Sequence, residues 1–251
     1  MLFQLASDFH IEKYDKINIE EFITPSAPYL ILAGDIGSLY KYDQLKLFLF
    51  NLSQKYKGII YVPGNHEFYT IKGRPGLPFF KLINLLNTLQ EEIPNLYILN
   101  RGVLKIEKYY IIGCILWSNC PDNEKFPSYR VKIHGFNKEK YNRFNKQDIE
   151  FINYSVDDSI KKGYTPIVVT HYPASTKLLN KANEKDGFQY LYANNLEYML
   201  DRNKIPLWIC GHTHWSFDII SDKGTRLLSN QKGGKSAKQN TFKTDFIFNL
   251  D

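Results

Sequence analysis

The chain has 251 residues, 43% of them hydrophobic, enough to bury the core of one large domain, so residues 1–251 are expected to form a single domain. Lysine and arginine outnumber aspartate and glutamate 32 to 26, but the two signs are interleaved along the chain, so the net charge of +6 gives only mild support for a phosphate-bearing partner. The three cysteines, Cys114, Cys120 and Cys210, form no Cys-Xaa-Xaa-Cys pair, and no apolar run approaches ~18 residues; this argues against a disulfide framework, a thiolate zinc site and a membrane span.

The first residues, Met1 to Ser7, carry no basic leader before Asp8, so a soluble, cytoplasmic protein is expected. The 18 tyrosines and 17 phenylalanines are scattered through apolar runs and read as core and rim packing rather than as a stacking platform.

In chain order, Leu2 to Ser7 reads as a strand ending in Asp8-Phe9-His10, a carboxylate and an imidazole at metal-ligand spacing. Tyr29 to Ala33 is a second strand, closed by Gly34-Asp35-Ile36-Gly37. Leu45, Leu49 and Leu52 place a crossover helix over residues 42–56. A third strand, Gly58 to Val62, runs into Pro63-Gly64-Asn65-His66-Glu67, where the turn presents an amide oxygen and an imidazole together. Residues 78–92 read as a helix that stops before Pro94. Tyr97 to Leu99 and Tyr109 to Trp117 read as strands.

The polar, proline-containing stretch from Ser118 to Asn137 is a loop expected beside the site, and a long helix follows over residues 138–161. Pro166 to Thr170 is a buried strand with His171 at its end. Residues 174–192 are expected to add to the rim, and residues 195–202 to form a short helix. The unbroken apolar run Pro206 to Cys210 reads as a strand buried on both faces, leading into Gly211-His212-Thr213-His214; a strand would turn both imidazoles to one side. Residues 215–220 and 226–229 flank a hairpin signal at Asp222-Lys223-Gly224, and Phe246 to Leu250 is the last strand. Gly233-Gly234-Lys235-Ser236 resembles the end of a phosphate-binding loop but lacks its first glycine and following helix, so it reads as a solvated turn.

The strand-end groups are Asp8, His10, Asp35, Asn65, His171, His212 and His214, with Asp35 available as a bridge. Such a set suits two divalent ions, which would lower the pKa of a bound water toward ~7 and clamp an in-line displacement at phosphorus. Four neutral imidazoles, an amide and two carboxylates leave the loaded centre positive, the complement of a phosphoryl group. Hydrolysis by metal-bound hydroxide is the implied reaction.

The motifs Asp8-Phe9-His10, Gly34-Asp35, Gly64-Asn65-His66-Glu67, Thr170-His171 and Gly211-His212-Thr213-His214 together resemble the signatures of the calcineurin-like metallophosphoesterases, above all the small single-domain members of uncharacterised substrate. The similarity extends to Leu116-Trp117-Ser118, Tyr129-Arg130 and the region near Asn230. The resemblance implies an α/β fold, a four-layer αββα sandwich of two mixed sheets. It implies that Asp8, His10 and His214 hold one ion and Asn65, His171 and His212 a second, with Asp35 shared, and that His66 is the catalytic histidine that stabilises phosphoryl charge or protonates the leaving oxygen.

Asp8 and Glu67 are candidates to orient neighbouring rings, a surface role being as good a reading of Glu67. Phe9 either narrows the pocket or joins the core. Arg130, in the loop after a strand end, is the basic candidate for a substrate phosphate. Mn, Fe, Zn, Ni and Mg all suit the ligands, because availability as much as affinity selects the metal. The expected function is a metal-dependent phosphodiesterase or phosphomonoesterase acting on a small or nucleotide-like ester. The alternatives are a nuclease, motivated by the positive charge, and a non-catalytic binding scaffold on the same fold.

Overall fold

The computed structural model describes residues 1–180, 185, 187–233 and 241–250. Among these residues, eleven strands fall into two sheets. The first holds β1 (Leu2–Ala6), β2 (Tyr29–Ala33), β3 (Gly58–Val62) and β4 (Leu96–Ile98) in parallel, with β11 (Ile247–Asn249) antiparallel on the free edge of β1. The second runs in the order β5 (Gly102–Ile106), β6 (Tyr109–Cys114), β7 (Thr165–Thr170), β8 (Leu207–Ile209), β10 (Arg226–Ser229) and β9 (Phe217–Ile220). Its centre, β6-β7-β8-β10, is parallel, and its two edge strands are antiparallel.

Alternate residues of the central strands serve different layers, which is why these strands read as unbroken apolar runs. Phe3, Leu5, Ile31, Ile60 and Val62 meet Ile111, Ile167, Val169, Leu207 and Ile209 in a core between the sheets. Leu30, Leu32, Ile59 and Tyr61 of the first sheet, and Ile112, Val168 and Trp208 of the second, pack outward under the helices. Helix α1 (Tyr42–Ser53) buries Leu45, Phe48, Leu49 and Leu52, and α2 (Phe79–Glu92) buries Leu82, Leu86 and Leu89 and lies against β4. Helix α3 (Lys138–Lys161) covers β6 and β7. The layers are therefore helix, sheet, sheet, helix.

Polar residues on the buried face of α3 explain its position. Asp148 accepts the Trp117 amide (3.2 Å) and the Arg101 guanidinium (2.9 Å), while Asn145 donates to Asn194 (2.7 Å). The α3 N-terminus is capped by Asn137, whose Oδ1 accepts the Lys140 amide at 2.9 Å.

Several sequence expectations are corrected. Residues 195–202 form only a single 3-10 turn, Glu197–Met199. The strand expected to reach Trp117 ends at Cys114, and β5 carries no sequence reading. Gly233 donates its amide to the Asp8 carbonyl at 3.1 Å, while residues 234–236 of the expected turn lie outside the described residues.

Candidate metal centre and active site

All seven strand-end groups converge at the carboxyl edges of the two sheets. The loops after β1, β2 and β3 bring Asp8, His10, Asp35 and Asn65, and those after β7 and β8 bring His171, His212 and His214. The backbone bends sharply to do this. Asp8, His10, Asp35, His212 and His214 all have φ between 50° and 74°, a left-handed region where non-glycine residues are strained and which is characteristic of functional sites. His212 and His214 thus stand in a loop, not on a strand, and their rings diverge to two different groups.

One group forms around His10. Its Nε2 lies 3.1 Å from His214 Nε2 and 3.8 Å from Asp35 Oδ2, and His214 Nε2 lies 3.5 Å from Asp8 Oδ1. The other forms around His171, whose Nε2 lies 3.0 Å from Asn65 Oδ1, 3.2 Å from His212 Nδ1 and 3.3 Å from Asp35 Oδ1. Asp35 therefore turns one oxygen to each group.

Contacts on the far side fix which atoms face inward. His171 Nδ1 donates to the Ala33 carbonyl (2.9 Å) and His212 Nε2 to the Leu191 carbonyl (3.1 Å), so His171 Nε2 and His212 Nδ1 are the ring atoms that face inward. Asp8 accepts Ser7 Oγ at 2.5 Å and the His212 amide at 3.1 Å, so it orients the loop that carries the two imidazoles rather than a ring.

Burial dominates the electrostatics. It raises the Asp8 pKa and lowers those of His10, His212 and His214, the last to about 4. For His171 burial opposes the charged form, but the Asp35 carboxylate and its contact with the ring outweigh it and push the pKa to about 9. Asp35 is held well below the usual carboxylate range because His171 and His66 overcome the effect of burial.

Glu67 is fully buried and is not a surface residue. Its oxygens accept the amides of Ile36 (2.7 Å), Gly64 (2.8 Å) and Asp35 (3.2 Å) and the hydroxyl of Tyr61 (2.5 Å), locking the loops after β2 and β3 together. Phe9 belongs to the core, edge-on to Phe22 and Phe48. At Gly64 a Cβ would strike the Asp35 side chain and amide, so only glycine allows this approach.

Two residues carry roles that no motif marks. Gln231, fully buried, accepts the His214 amide at 2.5 Å and donates to Thr213 Oγ1 and the Trp215 carbonyl, fixing the loop that carries His212 and His214. Glu12 lies against both His10 and His66. Gln231 follows Asn230 in the region already marked as similar, but one sequence gives no sign of where either side chain points.

The site opens into a cleft of about 340 Å³. His66, Tyr69, Tyr172 and Tyr192 form its walls, and Tyr129, Arg130 and Lys132 come from the loop after β6. Arg130 reaches Tyr192 Oη at 3.0 Å and stacks over the Phe188 ring at 4.1 Å. The tyrosines read as general packing are thus partly a cleft lining, which scattered sequence positions do not reveal.

Known proteins share this fold. A curated relative, the uncharacterised protein L509 of Acanthamoeba polyphaga mimivirus, is 25% identical over all of this chain and 97% of its own length. The solved phosphopantetheinyl hydrolase of Mycobacterium tuberculosis superposes with a TM-score of 0.69 at 16% identity, covering 94% of this chain and 90% of that one. A dimetal phosphatase of Danio rerio gives 0.50 at 14% identity, covering 92% and 87%. A sequence profile of the calcineurin-like phosphoesterases matches residues 1–216, a span that closes just past His214, and the chain belongs to that family.

Proposed function

We propose that residues 1–251 work as one metallophosphoesterase domain that hydrolyses phosphate esters with two divalent cations. The observation that carries this reading is the placement of Asp35, with one oxygen toward the His171 group and the other toward His10. The donor set fits cations. His171 Nε2, His212 Nδ1, Asn65 Oδ1 and Asp35 Oδ1 converge within hydrogen-bonding range, an arrangement that needs a positive charge among them, which the proton on His171 supplies in the metal-free protein and a cation would supply in its place. Asp8, His10 and His214, with Asp35, would hold one ion; Asn65, His171 and His212, with Asp35, the other. Such ions supply Lewis-acid polarisation of the phosphoryl group and acidify water.

The chain's own residues account for the rest. His66 stands at the cleft with Nδ1 turned toward Glu12, which leaves Nε2 as the end that can hand a proton to the leaving oxygen as the P–O bond breaks. The attraction of Asp35 and Glu12 exceeds the opposing effect of burial and raises the His66 pKa, which favours the acid form. Arg130, held by Tyr192 and Phe188, supplies a fixed positive charge for a non-bridging phosphate oxygen or a second anionic group.

The compact cleft and its tyrosine walls favour a small or nucleotide-like mono- or diester over a nucleic-acid strand. The presence of every ligand position together with His66 favours turnover over a binding scaffold. Free thiols at Cys114, Cys120 and Cys210 accord with a cytoplasmic setting. The test is to strip the protein of metal, reload it with Mn²⁺, Ni²⁺, Zn²⁺ or Mg²⁺, and assay paired aryl mono- and diester phosphates. Turnover with at least one ion is expected; none with any ion would support the scaffold instead.

A further inference from the structure

Glu12 sits in the single turn Ile11–Lys13 that follows His10, and His10 has the left-handed backbone that starts this turn. The turn folds the Glu12 side chain back over the site. Its Oε1 lies 3.4 Å from His10 Nδ1 and 3.4 Å from His66 Nδ1, and the two imidazoles meet edge to face with centroids 4.4 Å apart. The Glu12 side chain is only 10% exposed. Among the described residues, no group meets full hydrogen-bond geometry with either of its oxygens. A buried carboxylate in this state is stabilised mainly by the two rings beside it. Glu67, the other glutamate of the region, cannot take that part, because its oxygens are occupied by Ile36, Gly64, Asp35 and Tyr61.

We propose that Glu12 is a positioning residue whose carboxylate, with Oε1 3.4 Å from Nδ1 of both His10 and His66, favours the proton at Nδ1 of each ring. Each ring then presents Nε2 to the working side: His10 toward His214 and Asp35, His66 toward the leaving oxygen. The inference rests on the reading of His66 as the acid. It explains how one side chain ties the ligand shell to the proton donor: a neutral imidazole has one N–H and one lone pair, and an acceptor at Nδ1 decides which end carries which. When His66 gives up its Nε2 proton, the Nδ1 proton stays on the ring facing Glu12, so the ring need not turn between turnovers.

The experiment compares wild type with Glu12→Ala and Glu12→Gln, the second keeping shape and an acceptor oxygen but not the charge. In the metal-free proteins, ¹⁵N spectra of the histidine rings report the tautomers directly. At a pH high enough to leave both rings neutral, His10 and His66 are expected as Nδ1–H in wild type and as mixtures in Glu12→Ala, with Glu12→Gln between. In the metal-loaded proteins, kcat on an ester with a poor leaving group should fall ~10–100-fold in Glu12→Ala, with a smaller loss for a good leaving group and partial recovery in Glu12→Gln. Unchanged tautomers, or equal loss on both esters, would overturn the proposal. If Glu12→Ala does not fold, Glu12→Gln carries both measurements. His66→Ala separates the two readings: if it shows no leaving-group dependence, the acid assignment is wrong, and the tautomer spectra alone decide whether Glu12 sets the rings.

Discussion

The Tyr61 hydroxyl donates to Glu67 Oε1 at 2.5 Å, directly beneath the loops that carry Asp35 and Asn65. The same carboxylate takes four backbone amides from those loops, that of Gly37 being the longest at 3.5 Å. Removing one donor and removing the acceptor should therefore differ. Tyr61→Phe should lower stability by about 1–3 kcal/mol, and Glu67→Ala by more, because it leaves several buried donors without an acceptor at once. Denaturant midpoints of the metal-free proteins measure this, and equal midpoints for the two variants would contradict it.

Among the described residues, Asp35 alone turns a carboxylate oxygen to each donor group, so Asp35→Asn should lower metal content toward one ion or fewer per chain while the fold persists. His66→Ala should keep the full metal content and lose rate, most for poor leaving groups. Metal analysis of the dialysed proteins distinguishes the two. Full occupancy in Asp35→Asn would remove the bridging role.

Proton and cation should compete at His171. The folded, metal-free protein holds the His171 proton up to about pH 9, against an ordinary 6.5, so this group stabilises the metal-free fold fully below about pH 6.5 and progressively less as pH rises through 9. Metal affinity should rise over the same interval, with protons released on binding. Calorimetry in buffers of different ionisation enthalpy reads that release. An affinity that is flat from pH 6.5 to 9 would show that His171 is not displaced from its protonated form.

Arg130 is held in place by Tyr192 and Phe188, so its guanidinium is fixed before substrate arrives. Arg130→Ala should raise KM about tenfold, the equivalent of ~1.4 kcal/mol, with a smaller change in kcat. Arg130→Lys should recover little, since an ammonium lacks the planar fork. Steady-state kinetics on a single ester decide it, and an unchanged KM would return Arg130 to a packing role.

How much of this was legible in the sequence depends on where each signal lives. The central strands show as apolar runs because both their faces are covered, and the polar groups of the site show because they stand at the ends of those runs. Strand β5 did not show: Gly102, Val103, Leu104 and Ile106 are all partly exposed at a sheet edge, and Lys105 interrupts the run. Residues 195–202 have helical spacing at Leu196, Met199 and Leu200, yet the Leu196 amide is drawn to the Ala174 carbonyl and Asn194 to the Leu116 carbonyl, so tertiary bonds override propensity. His212 and His214 reach the cluster by a route other than the one expected, since left-handed loop geometry, not a strand, aims them. Glu12 and Gln231 act through contacts that depend on the folded path of the chain, and a single sequence does not encode those contacts locally.

Asp8, His10, Asp35 and Asn65 come from one sheet and His171, His212 and His214 from the other, so the centre lies across the seam between the layers. A cation seated there would act as a rivet. Separating the layers would break its coordination, and loading at a hundred times the dissociation constant would add about 2.7 kcal/mol against global unfolding. Resistance to heat and proteolysis in such a molecule becomes a measure of its mineral supply.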